Sequence, residues 1–265
     1  MDIVQYVRAR SLDEAWELNQ KKTAVVLGGC CWLRLSARRP IPTAIDLLGL
    51  GLDKIEETEQ EYRLGAMVSL HEMELSAELD TYTCGALREA VRHIVGVQFR
   101  RMATLGGSIC GRFGFSDVLT LFLVLDAEVE LYHGGRQKLA DFARTGAGRD
   151  ILTHVLLPKR RLRAAYTSLR LSAADFPVLA CAAAQGEEGV RWAIGARPRR
   201  AELVPGGAEL LADGCTSQAL EAYAQHAAST LDFGTNLRGS AEYRRAMAAV
   251  LVRRVLQQSA EEAGK

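Results

Sequence analysis

The 265-residue chain carries 33 Lys plus Arg against 32 Asp plus Glu, a net charge of +1. That balance offers no basic field for nucleic acid or an anionic membrane surface. With 48% hydrophobic and 25% charged residues, the composition is that of a globular protein long enough for two or three lobes.

The amino terminus, MDIVQYVRARSLDEAWEL, lacks a basic segment followed by an apolar stretch, so no secretory signal is expected. No apolar run, Val118–Leu125 included, is long enough to cross a bilayer, and a cytoplasmic location follows as an expectation. Cys30, Cys31, Cys84, Cys110, Cys181 and Cys215 lack the two-residue spacers of iron–sulfur or zinc ligands. They read as reduced, mostly buried thiols.

Ser11 and Glu14 form a capping box for a short helix whose inner face carries Ala15, Trp16 and Leu18. Thr23–Leu27 reads as a buried strand and runs into Gly28-Gly29-Cys30-Cys31-Trp32-Leu33. A strand feeding paired glycines and a helical turn leaves backbone N–H groups convergent, as a pyrophosphate needs. A plain tight turn explains the same residues. Neither G-x-G-x-x-G nor a P-loop lysine is present.

Short strands are expected around Ile45–Leu47, Lys54–Glu56 and Tyr62–Ala66. A second capping box, Ser69 with Glu72, opens a helix to about Leu75, and another helix covers Gly85–Ile94. His93 within it has no partner at ligand spacing and reads as structural.

The stretch Val97–Glu130 contains a second paired-glycine motif, Thr104-Leu105-Gly106-Gly107-Ser108, and then Ser116-Asp117 ahead of an apolar helix. Paired glycines beside a hydroxyl let backbone approach a ligand and turn N–H groups toward an anion. Ser116 is placed to cap the helix Asp117–Leu125. Asp117 suits the positive end of that helix and equally suits accepting a sugar hydroxyl. Ala127–Tyr132 is a strand.

A domain boundary is placed near Gly148, giving 1–148 (lobes of about 1–55 and 56–148) and 149–265. Beyond it, Ile151–Leu157, Tyr166–Leu171, Phe176–Ala183 and Val190–Ala196 read as a set of four strands. Helices Gln218–His226 and Ser240–Gln258 follow, and then a frayed tail, Ser259–Lys265.

These motifs resemble a family. LGGCCWLRL stands where the FAD-binding (medium) subunit of molybdenum hydroxylases, of the xanthine dehydrogenase and carbon monoxide dehydrogenase type, has an A-G-G-T-D-L-like loop. VQFRRMATLGGSI resembles its Q-I-R-N-x-A-T-I-G-G-N-I, and Ser116-Asp117 and Leu125–Val129 match in type and spacing. DILTHVLLP and Leu237–Arg244 (LRGSAEYR) resemble two carboxy-terminal signatures.

The resemblance implies an α+β fold. A two-lobed FAD-binding domain of the PCMH/vanillyl-alcohol-oxidase-like type holds FAD, and a small α+β carboxy-terminal domain of three to four strands plus helices follows. It implies an electron-transfer subunit: a molybdopterin subunit oxidises the substrate, 2Fe-2S clusters of an iron–sulfur subunit relay electrons to FAD, and NAD⁺ or another acceptor takes them. By position it gives cofactor-binding roles to Leu27, Gly28, Gly29, Cys30, Cys31 and Trp32, and to Thr104, Gly106, Gly107 and Ser108. Asp117 would accept from a ribitol or ribose hydroxyl, and Leu152 would lie near the isoalloxazine.

Three departures stand out. Cys30-Cys31 replaces Thr-Asp, Ser108 replaces Asn, and Ser168 replaces a lysine found near the flavin, with Arg170 close by in sequence. A redox role for the cysteine pair is open, although adjacent cysteines rarely form an unstrained disulfide. A scaffold protein with an eroded flavin site is the competing reading. A stand-alone flavoenzyme of the same superfold would need an acid–base pair in the second half, and no convincing one is found.

Overall fold

The structure, a computed structural model, describes residues 1–36, 40–187, 189–211, 214 and 216–261. Cys215 and the end of the expected frayed tail lie outside these. The caps read from sequence are formed. Ser11 Oγ accepts from the Glu14 N–H at 3.1 Å and starts the helix Leu12–Asn19. Ser69 Oγ does the same for Glu72 and starts Leu70–Leu75. Ser116 Oγ accepts from the Leu119 N–H at 3.1 Å and starts Asp117–Val124. Each cap satisfies a donor that the first helical turn cannot pair internally.

The chain divides into two compact units interleaved in sequence. The first comprises Met1–Met73, Val97–Gly111 and Asp126–Lys159; the second comprises Glu74–Gly96, Arg112–Leu125 and Arg160–Lys265.

In the first unit, Ile3–Arg8 and Ala24–Leu27 flank Ile41–Asp46 in a parallel sheet, with Leu27 opposite Asp46. Ala15, Ala24, Ile45, Leu47 and Leu52 form the core against one face of this sheet. A second, antiparallel sheet has five strands in the order Ile55–Glu57, Glu61–Gly65, Leu152–Pro158, Glu128–Leu131, Gly135–Lys138.

That order corrects the grouping of strands. Leu152–Pro158 was expected with the carboxy-terminal strands, but it pairs antiparallel with Glu61–Gly65 and Glu128–Leu131 at the centre of the first unit. Its partners lie far back in the chain, and neighbouring position in sequence favours the nearer pairing only on average.

In the second unit, Leu162–Leu169, Leu179–Gly186, Gly189–Gly195 and Glu202–Leu203 form a four-stranded antiparallel meander. The helices Ser217–Thr230 and Ala241–Glu261 pack with it around Cys181, Trp192, Ile194, Tyr223, Leu251 and Val255. The apolar helix Asp117–Val124 is buried at every residue and packs on the same strands. A helix that is apolar all round belongs in an interior. No helix among the described residues is long and apolar enough to cross a membrane.

Candidate functional site

The strand Ala24–Leu27 ends at Gly28, and the chain then turns through two consecutive left-handed residues, Gly29 (φ 72°) and Cys30 (φ 59°), before the helical turn Leu33–Ser36. The Cys30 carbonyl accepts from the Arg34 N–H at 2.9 Å, which closes that turn. Among the described residues, no backbone hydrogen bond takes up the N–H groups of Gly29, Cys30 and Cys31. Adjacent open donors in a turn with left-handed residues are backbone of the kind that can take up an anion.

The second glycine pair behaves differently. Thr104 is the N-cap of a short helix, Leu105–Cys110, where the sequence shows only a paired-glycine motif. Every N–H of this turn is already paired: Leu105 to Val68 O at 2.8 Å, Gly106 to Ala66 O at 2.7 Å, Gly107 to Thr104 Oγ1 at 3.1 Å and Ser108 to Thr104 O at 3.0 Å. The expectation that these amides turn toward an anion is therefore corrected. The Ser108 hydroxyl also donates to the Thr104 carbonyl, at 3.0 Å.

The glycines of this helix serve close packing instead. A Cβ on Gly107 would lie 2.7 Å from the Gly28 oxygen, and one on Gly28 would lie 3.0 Å from Thr104 Oγ1. The two glycine motifs thus face one another, as walls of one site require, but only the first carries open donors. Leu152 is buried on the strand against which helix Leu105–Cys110 packs.

Neither cysteine of the first loop is activated. Burial pushes the thiols of Cys30 and Cys31 up from the usual value, which lowers the thiolate fraction on which reactivity depends. Cys30 packs against the cluster of Leu27, Ile41 and Ala44, while the Cys31 thiol faces the Gly29 and Phe99 carbonyls. The replacement of Thr-Asp by Cys-Cys leaves the backbone donors in place. Among the described residues no cluster of His, Cys, Asp and Glu could hold a metal ion.

Asp117 lies in the second unit, 5% exposed, in the first turn of its helix. Its Oδ1 accepts from the Tyr166 hydroxyl and from Arg170 Nη2 at 2.6 Å. Arg170 also donates from Nε to Ser168 Oγ at 3.0 Å and from Nη1 to the Asp175 carbonyl at 2.6 Å. Burial pushes the Asp117 carboxyl upward against the opposing pull of Arg170 and Tyr166, and it pushes the Tyr166 hydroxyl well above its usual value. Sequence reasoning missed Tyr166 and the pairing of Arg170 with Asp117. A cation therefore does stand beside Ser168, supplied from two residues further along the chain, with its charge balanced by a buried carboxylate.

Residues 2–160 match the family described as the FAD binding domain in molybdopterin dehydrogenase. The chain belongs to that family. Residues 164–259 match the carbon monoxide dehydrogenase flavoprotein carboxy-terminal domain. Together the two matches show the expected α+β architecture of an FAD-binding domain followed by a smaller carboxy-terminal domain.

The medium subunit of nicotine 6-hydroxylase from Paenarthrobacter nicotinovorans is 26% identical over 96% of both chains. The YgfM protein of Escherichia coli K12 is 28% identical, over 98% of this chain and 99% of its own. Among solved structures, a chain of carbon monoxide dehydrogenase from Hydrogenophaga pseudoflava superposes with a TM-score of 0.88 at 23% identity over 96% of each chain. A chain of quinoline 2-oxidoreductase from Pseudomonas putida 86 gives 0.86 at 21% identity, over 98% of this chain and 97% of that one. At those identities the superpositions establish the fold. FAD is the cofactor of this family's domain, the chain is an oxidoreductase subunit, and the open donors of Gly29, Cys30 and Cys31 fit the pyrophosphate of a dinucleotide.

Proposed function

We propose that the chain is the electron-transfer subunit of a molybdenum hydroxylase, working with an iron–sulfur subunit that carries 2Fe-2S clusters and a molybdopterin subunit. The observation that carries this reading is the set of three open N–H groups at Gly29–Cys31, held in place by the packing of Gly28 on Gly107. FAD held there would supply the redox chemistry. The chain's own residues bind and orient it. Leu27 ends the strand that aims the loop, Gly28–Trp32 form the pyrophosphate seat, and Thr104, Gly106, Gly107 and Ser108 form the wall behind it. Leu152, Asp117 and Ser168 are further proposed contacts to the cofactor.

The substrate class proposed for the complex is an aromatic N-heterocycle, the class to which the nicotine in the name of one relative belongs. A xanthine dehydrogenase-like activity falls within this class. NAD⁺ as the terminal acceptor rests on the resemblance to xanthine dehydrogenase medium subunits alone.

The deciding measurement is the visible absorption spectrum of the freshly purified chain, with release and identification of the chromophore. A stoichiometric FAD band is the expected result. A chain that stays colourless after incubation with FAD would instead favour the scaffold reading. A Cys30→Ser, Cys31→Ser double variant is expected to retain as much FAD as wild type, since the loop binds through its backbone. Loss of the band in that variant would show that the thiols hold the cofactor.

A further inference from the structure

We propose that Arg238, in the tight turn Asn236–Gly239 that precedes the last helix, is a positioning residue for the Asp117–Ser168 cluster, acting through Asp175 and Arg170. The inference rests on the reading above that this cluster contacts FAD.

Arg170 makes three hydrogen bonds, and only two of them end within the cluster. The third runs from Nη1 to the backbone oxygen of Asp175, at 2.6 Å. The direction of the Arg170 fork therefore depends on where Asp175 is held. A guanidinium is a rigid planar fork, so moving one of its acceptors tilts the other two bonds.

Asp175 follows a run of four exposed residues, Leu171–Ala174, so no packed side chains fix that approach. The Asp175 carboxylate is fixed instead by two donors to Oδ1, the Phe176 N–H at 2.7 Å and Arg238 Nη2 at 2.8 Å. The Arg238 guanidinium also lies over the Phe176 ring, 5.1 Å from its centroid, a cation–π contact that holds the same turn.

Arg238 is itself anchored. Its N–H donates to Asn236 Oδ1 at 2.9 Å. That same Asn236 oxygen accepts from Arg244 Nη2 at 2.6 Å. Arg244, 1% exposed, also donates to the Val178 carbonyl at 2.9 Å, to Gly234 O at 2.7 Å and to Gly239 O at 2.5 Å. A buried guanidinium satisfied by backbone oxygens is costly to disturb and makes a rigid mount. The chain of contacts from Arg244 through Asn236, Arg238, Asp175 and Arg170 to Asp117 and Ser168 is continuous.

The test is titration of the apo chain with FAD, followed by flavin fluorescence, for wild type, Arg238→Gln, Asp175→Asn and the double variant. Arg238 is about one-third exposed at its side chain, so the variants are expected to keep the wild-type circular dichroism spectrum. Each single variant is expected to weaken FAD about tenfold, and the double variant no more than either single one, because coupled residues are non-additive. Arg253→Gln, which breaks an exposed pair with Glu221, is expected to leave affinity unchanged.

A role confined to closing a surface turn would lower thermal stability without moving FAD affinity, and wild-type affinity in Arg238→Gln overturns the proposal. If wild type binds no FAD, the reading of the cluster as a cofactor contact fails. Amide hydrogen exchange at Asp175–Val178 then decides the coupling by itself: faster exchange in Arg238→Gln is expected, and unchanged exchange overturns it.

Discussion

Asp117→Ala is expected to lower the unfolding free energy by about 3–5 kcal/mol, the usual effect of breaking a buried ion pair from one side. Arg170 is 7% exposed at its side chain and Asp117 is 5% exposed. Removing the carboxylate leaves a largely buried guanidinium without its counter-charge and deprives the Tyr166 hydroxyl of its acceptor. Chemical denaturation of the apo chain measures this directly, and a loss below about 1 kcal/mol, the level of a surface pair, would contradict the buried geometry. Asp117→Leu with Arg170→Met removes both charges together and is expected to recover most of the stability. That double variant also separates structure from binding. If it folds and has lost affinity for FAD, the cluster contacts the cofactor; if affinity is intact, Asp117 is a structural residue at a helix terminus.

The same residues show what could be read from the sequence. Ser11, Ser69 and Ser116 announced their helices because a hydroxyl three residues before the amide it caps is a local signal. Thr104 caps just as they do, at 3.1 Å to the Gly107 N–H, but two glycines in the first turn hid the helix Leu105–Cys110. Ile3–Arg8 was also missed as a strand. It pairs on one side only, with Ile41–Asp46, and leaves Val4 and Tyr6 exposed, so it lacks a clean apolar face. The placement of Leu152–Pro158 and the pairing of Asp117 with Arg170 depend on contacts distant in sequence, and no local pattern carries that information. The Gly28–Cys31 loop was legible as a candidate because strand, glycines and turn are contiguous. Which of the two glycine motifs offers free donors was not, because that depends on the oxygens of Val68 and Ala66 reaching the second one.

This asymmetry between the two motifs sets the other large effect, Gly29→Ala. Gly29 has φ 72°, and a Cβ there would lie 1.8 Å from the Met102 carbonyl oxygen. A left-handed alanine costs about 1–2 kcal/mol by itself. The collision is with backbone, so no rotamer relieves it and the loop must move. The N–H groups of Gly29, Cys30 and Cys31 move with it. Each hydrogen bond to a charged group contributes about 1.5–3 kcal/mol, so misaligning two of them corresponds to a loss of FAD affinity of about 100-fold or more. Gly107→Val reaches the same loop indirectly, since its Cβ would lie 2.7 Å from the Gly28 oxygen, and it acts by prising the two motifs apart. Gly85→Ala is the control. It has φ 81° with nothing within 4 Å of the added carbon, so it carries the left-handed strain without the collision and is expected to leave FAD affinity unchanged. FAD titration of the three variants orders them, with Gly29→Ala weakest and Gly85→Ala at wild type. Wild-type affinity in Gly29→Ala would mean that the pyrophosphate does not sit on this loop.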